Sequence, residues 1–199
     1  MNRLTQQMEF IKEIDKLKSV LRRSLVIVEQ RYENSAEHSW HFALMSLILA
    51  EHYPHSKNID LFKVLSMALI HDLAEIYAGD TYCYDQQHIK DQHERELAAI
   101  QKVLDFLPAD QYATYFALWM EFEAGQSHES KFARVMDRLN PFMLNYFSGG
   151  TSWVKHQVKR SQVLVRMGEI EQSCPDIWRY VMGLLSSAIE QGWIIDDCV

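Results

Sequence analysis

Along nearly the whole chain, apolar residues recur three or four positions apart, the period of a helix with one buried stripe. Leu4, Met8, Ile11, Ile14, Leu17 and Leu21 lie on one such stripe and predict a first helix. The run from Leu25 to Val28 is rich in β-branched residues and reads as an extended connector. Ser35 is placed to cap a second helix with Trp40, Ala43, Leu44, Leu47 and Ile48 along one face, and Pro54 lies just beyond its end. A third helix is predicted over 59–78. Its middle, Val64 to Ile70, is apolar all round and predicts a central position, and Gly79 stops it. Residues 80–88 read as a polar, aromatic loop, followed by a fourth helix over 89–106. Pro108 suits the first turn of a fifth, which ends near Gly125. Ser127 caps a sixth that carries Phe132, Val135, Met136 and Leu139. Gly149-Gly150 breaks the chain. Further helices are predicted from Ser152 and after Pro175, the last with Ile177, Val181, Leu184, Leu185 and Ile189 on one side. With no repeat, linker or shift of composition, the pattern predicts an all-α bundle of about eight helices in one domain over 1–199.

Composition narrows the function classes. With 48% hydrophobic residues, 24% charged, 7 Gly and 4 Pro, the chain lies near the globular average, which excludes disordered and low-complexity classes. The net charge of -7, without a long basic run, argues against a nucleic-acid polymer or an anionic membrane surface as partner. Three cysteines at irregular spacing (Cys83, Cys174 and Cys198) are neither a disulfide framework nor a zinc ribbon. The first residues lack the apolar core of a signal peptide, and no apolar run reaches the ~20 residues that span a bilayer. The expected address is the cytoplasm.

Chemistry concentrates at His71-Asp72, inside the most apolar helix. An imidazole and a carboxylate buried side by side are costly unless paired or bound to something. Glu75 lies one turn further on, and Asp80 follows directly on the Gly79 stop. His38, in the first turn of the second helix, and Asp137, beside the apolar stripe of the sixth, have matching settings. Two imidazoles and two carboxylates would suit a divalent ion such as Mn, Co, Fe, Ni or Zn, with Mg less well matched. By spacing alone, a core histidine bonded to its neighbouring aspartate explains the His-Asp pair about as well. His41, Glu121 and Glu123 are weaker candidates, each more often a surface residue.

Four segments decide between these readings: Leu17-Lys18-Ser19-Val20-Leu21-Arg22, Glu33-Asn34-Ser35-Ala36-Glu37-His38-Ser39, His71-Asp72 through Gly79-Asp80, and Lys131-Phe132-Ala133-Arg134-Val135-Met136-Asp137. Together they resemble the HD superfamily of metal-dependent phosphohydrolases, and most closely its small 5'-deoxynucleotidase branch. The resemblance implies one divalent metal ion held by His38, His71, Asp72 and Asp137, with the metal and catalytic core over about 17–140 and the C-terminal helices of 152–191 packed on it. It implies that Arg22, or its neighbour Arg23, holds a substrate phosphate, and that Glu75 and Asp80 are functional acids. The substrate expected is a small-molecule nucleotide, a (deoxy)ribonucleoside 5'-monophosphate that loses its phosphate. Other readings of the resemblance are a phosphodiesterase, a triphosphohydrolase, or a non-catalytic nucleotide-binding protein with a structural metal. Members of that branch often dimerise, so the resemblance leaves room for a homodimer. The stretch Thr81-Tyr82-Cys83-Tyr84-Asp85 departs from the deoxynucleotidase pattern, which bears on the identity of the substrate rather than on the metal centre.

Overall fold

Asn2 starts the first helix, α1 (Arg3–Ile14), by accepting a hydrogen bond from the Thr5 N–H on its side chain. A 3-10 turn over Asp15–Ser19 then lowers the chain into β1 (Leu21–Leu25), which pairs antiparallel with β2 (Tyr32–Asn34) in the register Leu21↔Asn34 and Leu25↔Tyr32. The β-branched run read as a connector thus lies at and beyond the end of a strand. The computed structural model describes residues 1–80 and 92–198, so Cys83 and the stretch 81–85 lie outside the described residues.

The cap of α2 (Ser35–Leu49) is Asn34 rather than Ser35. Asn34 accepts from the Glu37 N–H, while the Glu37 carboxylate accepts from the Asn34 N–H. The predicted period is present in α2, but the opposite face is buried. Ser35, His38, Ser39, Phe42, Met45 and Ser46 point inward, while Trp40, Leu44, Leu47 and Ile48 are exposed. The stripe predicted for α1 is likewise mostly outside: Leu17 is buried, but Leu4, Met8, Ile11 and Leu21 are exposed.

The helix predicted over 59–78 is broken. Capped by Asp60, α3 runs Leu61–Ile70; His71–Ala74 is a 3-10 turn, and α4 (Glu75–Ala78) ends at Gly79, whose φ of 75° is available to glycine at no steric cost. Next come α5 (Gln92–Leu104), α6 (Ala109–Ala124), α7 (His128–Phe147), α8 (Thr151–Lys155), α9 (Arg160–Ser173) and α10 (Pro175–Glu190). Among the described residues this makes ten α-helical segments and one two-stranded sheet, so the all-α reading holds, with two of the segments only four and five residues long.

Two apolar clusters hold these elements together. The larger joins Phe42 and Met45 of α2 and Val64, Met67 and Ala68 of α3 to Phe132, Val135, Met136 and Leu139 of α7, and to the inner faces of α9 and α10. The smaller joins Leu17, Ile70, Leu73 and Ala74 to Ile100, Val103 and Leu104 of α5 and Trp119 of α6. Each fully buried side chain such as Phe132 contributes about 1.5–3 kcal/mol. The broken α3–α4 segment feeds both clusters, so His71 and Asp72 stand at their seam. The C-terminal tail serves its own chain: Ile194 is buried, Ile195 accepts from Arg160 N–H and donates to the Val158 carbonyl, and Trp193 packs over Gly150.

Candidate metal centre and its cavity

The break at His71 shapes the site. In a 3-10 turn residues three apart eclipse, which brings Asp72 and Glu75 over one another. The His71 carbonyl accepts the Trp119 indole N–H at 3.1 Å. The His71 ring directs Nδ1 at the Ala68 carbonyl, 3.0 Å away, which makes Nδ1 the donor and turns Nε2 into the site. His38 comes from the inner face of α2 and Asp137 from α7. His38 Nε2 lies 3.1 Å from Asp137 Oδ1, and His71 Nε2 lies 3.7 Å from the same oxygen.

Within this geometry His38, His71 and Asp137 offer ligand atoms that all lie within 4.8 Å of one another. Neighbouring ligands on an ion bound at ~2.0–2.2 Å stand roughly 3–3.5 Å apart, so the spacing fits a divalent cation. The buried His71 Nε2 makes no hydrogen bond of good geometry among the described residues, so it is open to a cation once it gives up the proton that the neighbouring acids favour. Asp72 stands beside this triad. Its Oδ1 is 3.0 Å from His71 Nε2, while its Oδ2 is 3.9 Å from His38 Nε2 and accepts from Arg22 at 2.6 Å.

Strand alternation sets the two arginines apart. Along β1, Arg22 and Ser24 turn inward and Arg23 outward. Arg22 reaches Asp72 and approaches Glu75 Oε1 at 3.6 Å and Glu33 Oε2 at 3.7 Å; Arg23 is exposed at the rim. Glu75 is buried and accepts the Ser35 hydroxyl at 2.5 Å on its other oxygen, which is what Ser35 does in place of capping α2. Arg22, Arg23, His71, Asp72, Glu75, Asp80 and Asp137 all line one cavity of about 250 Å³.

The electrostatics follow from crowding charge into a buried space. Burial opposes the charge on Asp137, yet the hydrogen bond from His38 and the charge of His71 hold its carboxyl well below the usual range. Burial opposes Asp72 as well, and His71 and Arg22 bring it down to about 2. On His71 burial works against the proton, but Asp72 and Asp137 outweigh it and push the imidazole up to about 9. His38 is moved down by burial and by Arg22. Glu75 is driven well above its ordinary value by burial and by the Asp72 charge, against the pull of Arg22. Asp80 is raised by burial, opposed by Arg22 and reinforced by Asp72.

Some residues that shape the site were not singled out from the sequence. Glu33, nearly inaccessible, lies 3.8 Å from His38 Nδ1 behind the ring. Arg134 and Arg138 of α7 and Arg166 of α9 line the far wall. The first two flank Asp137 one helical turn apart beside the apolar stripe of α7, a signal that was there to read; Arg166 has no such signal. Of the weaker candidates, Glu123 lines the cavity, whereas Glu121 points away to Lys63 at 2.6 Å.

Comparison with known proteins gives the family. Residues 14–178 match the family model of the HD domain. The 5'-deoxynucleotidase HDDC2 of Homo sapiens is 28% identical over 132 residues, 66% of this chain and 62% of that protein. Its namesake in Dictyostelium discoideum is 28% identical over 148 residues, 72% of this chain and 77% of that one. The chain therefore spans less than two-thirds of the length of the human relative. Among solved structures, a predicted metal-dependent phosphohydrolase from Magnetospirillum magnetotacticum is 40% identical, with a TM-score of 0.91 over 97% of this chain and 96% of that one. An HD-domain phosphohydrolase from Listeria innocua shares the fold at a TM-score of 0.61 with 15% identity.

Proposed function

The chain belongs to the HD domain family, and from that premise we propose that it is a metal-dependent phosphomonoesterase that releases phosphate from (deoxy)ribonucleoside 5'-monophosphates. The observation that carries the reading is the meeting of His38, His71 and Asp137, the last two lining one cavity with Arg22 and Glu75. We read residues 1–199 as one domain built around that cavity.

In this reading His38, His71 and Asp137 hold one divalent ion, and Asp72 completes the set. Such an ion supplies Lewis-acid polarisation of a phosphoryl oxygen and a lowered pKa for water. Arg22 binds the remaining phosphate oxygens through its planar guanidinium, exchanging part of its contact with Asp72 for them. Glu75, held by Ser35, orients the attacking water and takes its proton. Asp80, raised by burial, carries a proton to the leaving 5'-oxygen. The water oxygen bonds to phosphorus as the P–O5' bond breaks, giving a nucleoside and inorganic phosphate. The human and Dictyostelium relatives named for 5'-deoxynucleotidase activity support this substrate class.

The test is phosphate release from a panel of nucleoside mono-, di- and triphosphates with added Mn or Co, on the wild-type chain and on Asp137→Ala. The expected result is turnover of monophosphates that falls at least about 10³-fold in the variant. Unchanged turnover in Asp137→Ala refutes the assignment.

We also propose a homodimer in the cytoplasm. The tail is used internally, so the face offered to a second copy is that of α2, where Trp40 is 65% and Ile48 66% exposed. No helix of the described residues is long and apolar enough to cross a membrane. Light scattering should give twice the chain mass, and Trp40→Glu should halve it; a monomeric wild type rules the dimer out.

A further inference from the structure

The wall opposite Arg22 carries three arginines, Arg134, Arg138 and Arg166, and they differ in how they are held. Arg134 is engaged through two of its nitrogens. Its Nε donates to Glu169 at 3.0 Å, its Nη1 donates to the Glu123 carbonyl at 2.9 Å, and its stem lies so close to Gly125 that a Cβ there would stand 3.1 Å from Nε. Arg138 shares the same Glu169 carboxylate and is largely buried. The Glu123 carboxyl, which also lines the cavity, faces Arg134 and His71. That leaves Arg166. Its one charged partner among the described residues is Asp137 Oδ2 at 3.9 Å, beyond hydrogen-bond distance, and the other oxygen of that carboxylate is turned to the two imidazoles. Asp137 thus divides the cavity, with the metal-binding groups on its Oδ1 side and a spare guanidinium on its Oδ2 side.

Two guanidinium groups on neighbouring helices, both lining the cavity and neither with a hydrogen bond among the described residues, are open to an anion. An uncharged nucleobase offers acceptors but no compensating charge. A phosphate offers both, in the planar two-point geometry that a guanidinium matches. The cavity of about 250 Å³ has room for it: that is roughly eight waters at about 30 Å³ each, well beyond the needs of one phosphate group.

We infer that Arg166, with Arg138 beside it, forms a second anion subsite that takes a second phosphate group of the substrate. A nucleotide with two phosphates then binds more tightly than the 5'-monophosphate, and a 3',5'-bisphosphate is the one that can still lose its 5'-phosphate by the step above. The inference rests on the phosphohydrolase reading above, because it assumes that Arg22 and the metal side take the phosphate that is released.

Calorimetric titration of the full, metal-stripped chain with deoxyadenosine 5'-monophosphate, 5'-diphosphate and 3',5'-bisphosphate tests it. A base mismatch cancels in the ratios. At least one two-phosphate ligand is expected to bind about tenfold or more tightly than the monophosphate, a difference of about 1.4 kcal/mol. Arg166→Gln should bring that ratio close to one, and Arg166→Lys should restore part of it. Equal affinity for all three ligands in the wild type overturns the inference without any variant, as does an Arg166→Gln chain that weakens all three by the same factor. Phosphate release measured alongside separates the two failures. Turnover of monophosphates with no affinity ratio removes the second subsite alone, whereas an affinity ratio with no release of phosphate from any nucleotide removes the hydrolase reading.

Discussion

On the wall built by β1, α2 and the turn after α3, one arginine stands among acids: Arg22 faces Asp72, Glu75 and Glu33. On the wall built by α7 and α9 the pattern is reversed, and Arg134, Arg138 and Arg166 outnumber the two acids there, Glu169 between the first two and Asp137 beside the third. The first wall is deeply buried and short of positive charge, and it is there that the two imidazoles and Asp137 Oδ1 converge. The second is more open and short of negative charge. A cavity with walls of opposite deficit suits a ligand that brings its own cation and its own anion, which describes a metal-bound nucleotide phosphate. The contrast also separates two kinds of arginine, one locked among acids at the reacting end and one held ready at the far end.

Three measurements would break or sharpen this comparison. The largest effect should come from the arginine among acids. Arg22→Gln leaves Asp72 and Glu75 facing each other without a counter-charge and removes the phosphate fork, and kcat/KM should fall about 10²–10³-fold. A loss below tenfold would mean that the first wall does not hold the phosphate. Next is the acid among arginines. Glu169→Gln strips Arg134 and Arg138 of their shared partner in a partly buried setting and should cost about 3 kcal/mol in urea unfolding; a change within 0.5 kcal/mol, about the ordinary surface range, would show the second wall to be solvated.

The smallest effect is one of pH. Burial pushes the Glu33 carboxyl up to about 7, with Arg22 opposing and Asp72 adding to the shift, against an ordinary value of 4.5. Between those values the folded chain binds more protons than the unfolded one, so in chelator the stability contributed by this group falls as pH rises from about 4.5 to about 7. Glu33→Gln should flatten the fall over that window. Part of the slope should remain, because Glu75 is raised for the same reasons. A slope identical to wild type would remove Glu33 from the electrostatics of the first wall.

How far the site could be read from the chain depended on the range of the interactions involved. His71-Asp72 announced itself because a charged pair in an apolar helix is costly, and the Phe132, Val135, Met136 and Leu139 stripe of α7 points inward as its period predicts. The buried face of α2 is opposite to the one its period suggests, for an instructive reason. Its most hydrophobic side chains are outside, and the buried face is made of serines, Phe42, Met45 and His38, because small residues let α3 and α7 approach closely while His38 reaches the metal side. Periodicity gives the existence of two faces; which one is covered depends on the neighbours.

The sequence by itself determined that the chain is helical, where most of its helices start and stop, and which residue types stand ready for metal and phosphate, because caps, turns and hydrophobic period act over a few residues. Only the tertiary structure decided that α3 breaks at His71 so that Asp72 and Glu75 meet Arg22. It alone brought Arg166 to the far side of Asp137. These are meetings of side chains separated by 29 to 53 positions (Arg166 from Asp137, Glu75 from Arg22), and they arise from how two apolar clusters pack against a shared segment. No local pattern encodes that packing, since its free energy comes from surfaces that exist only once the chain has folded.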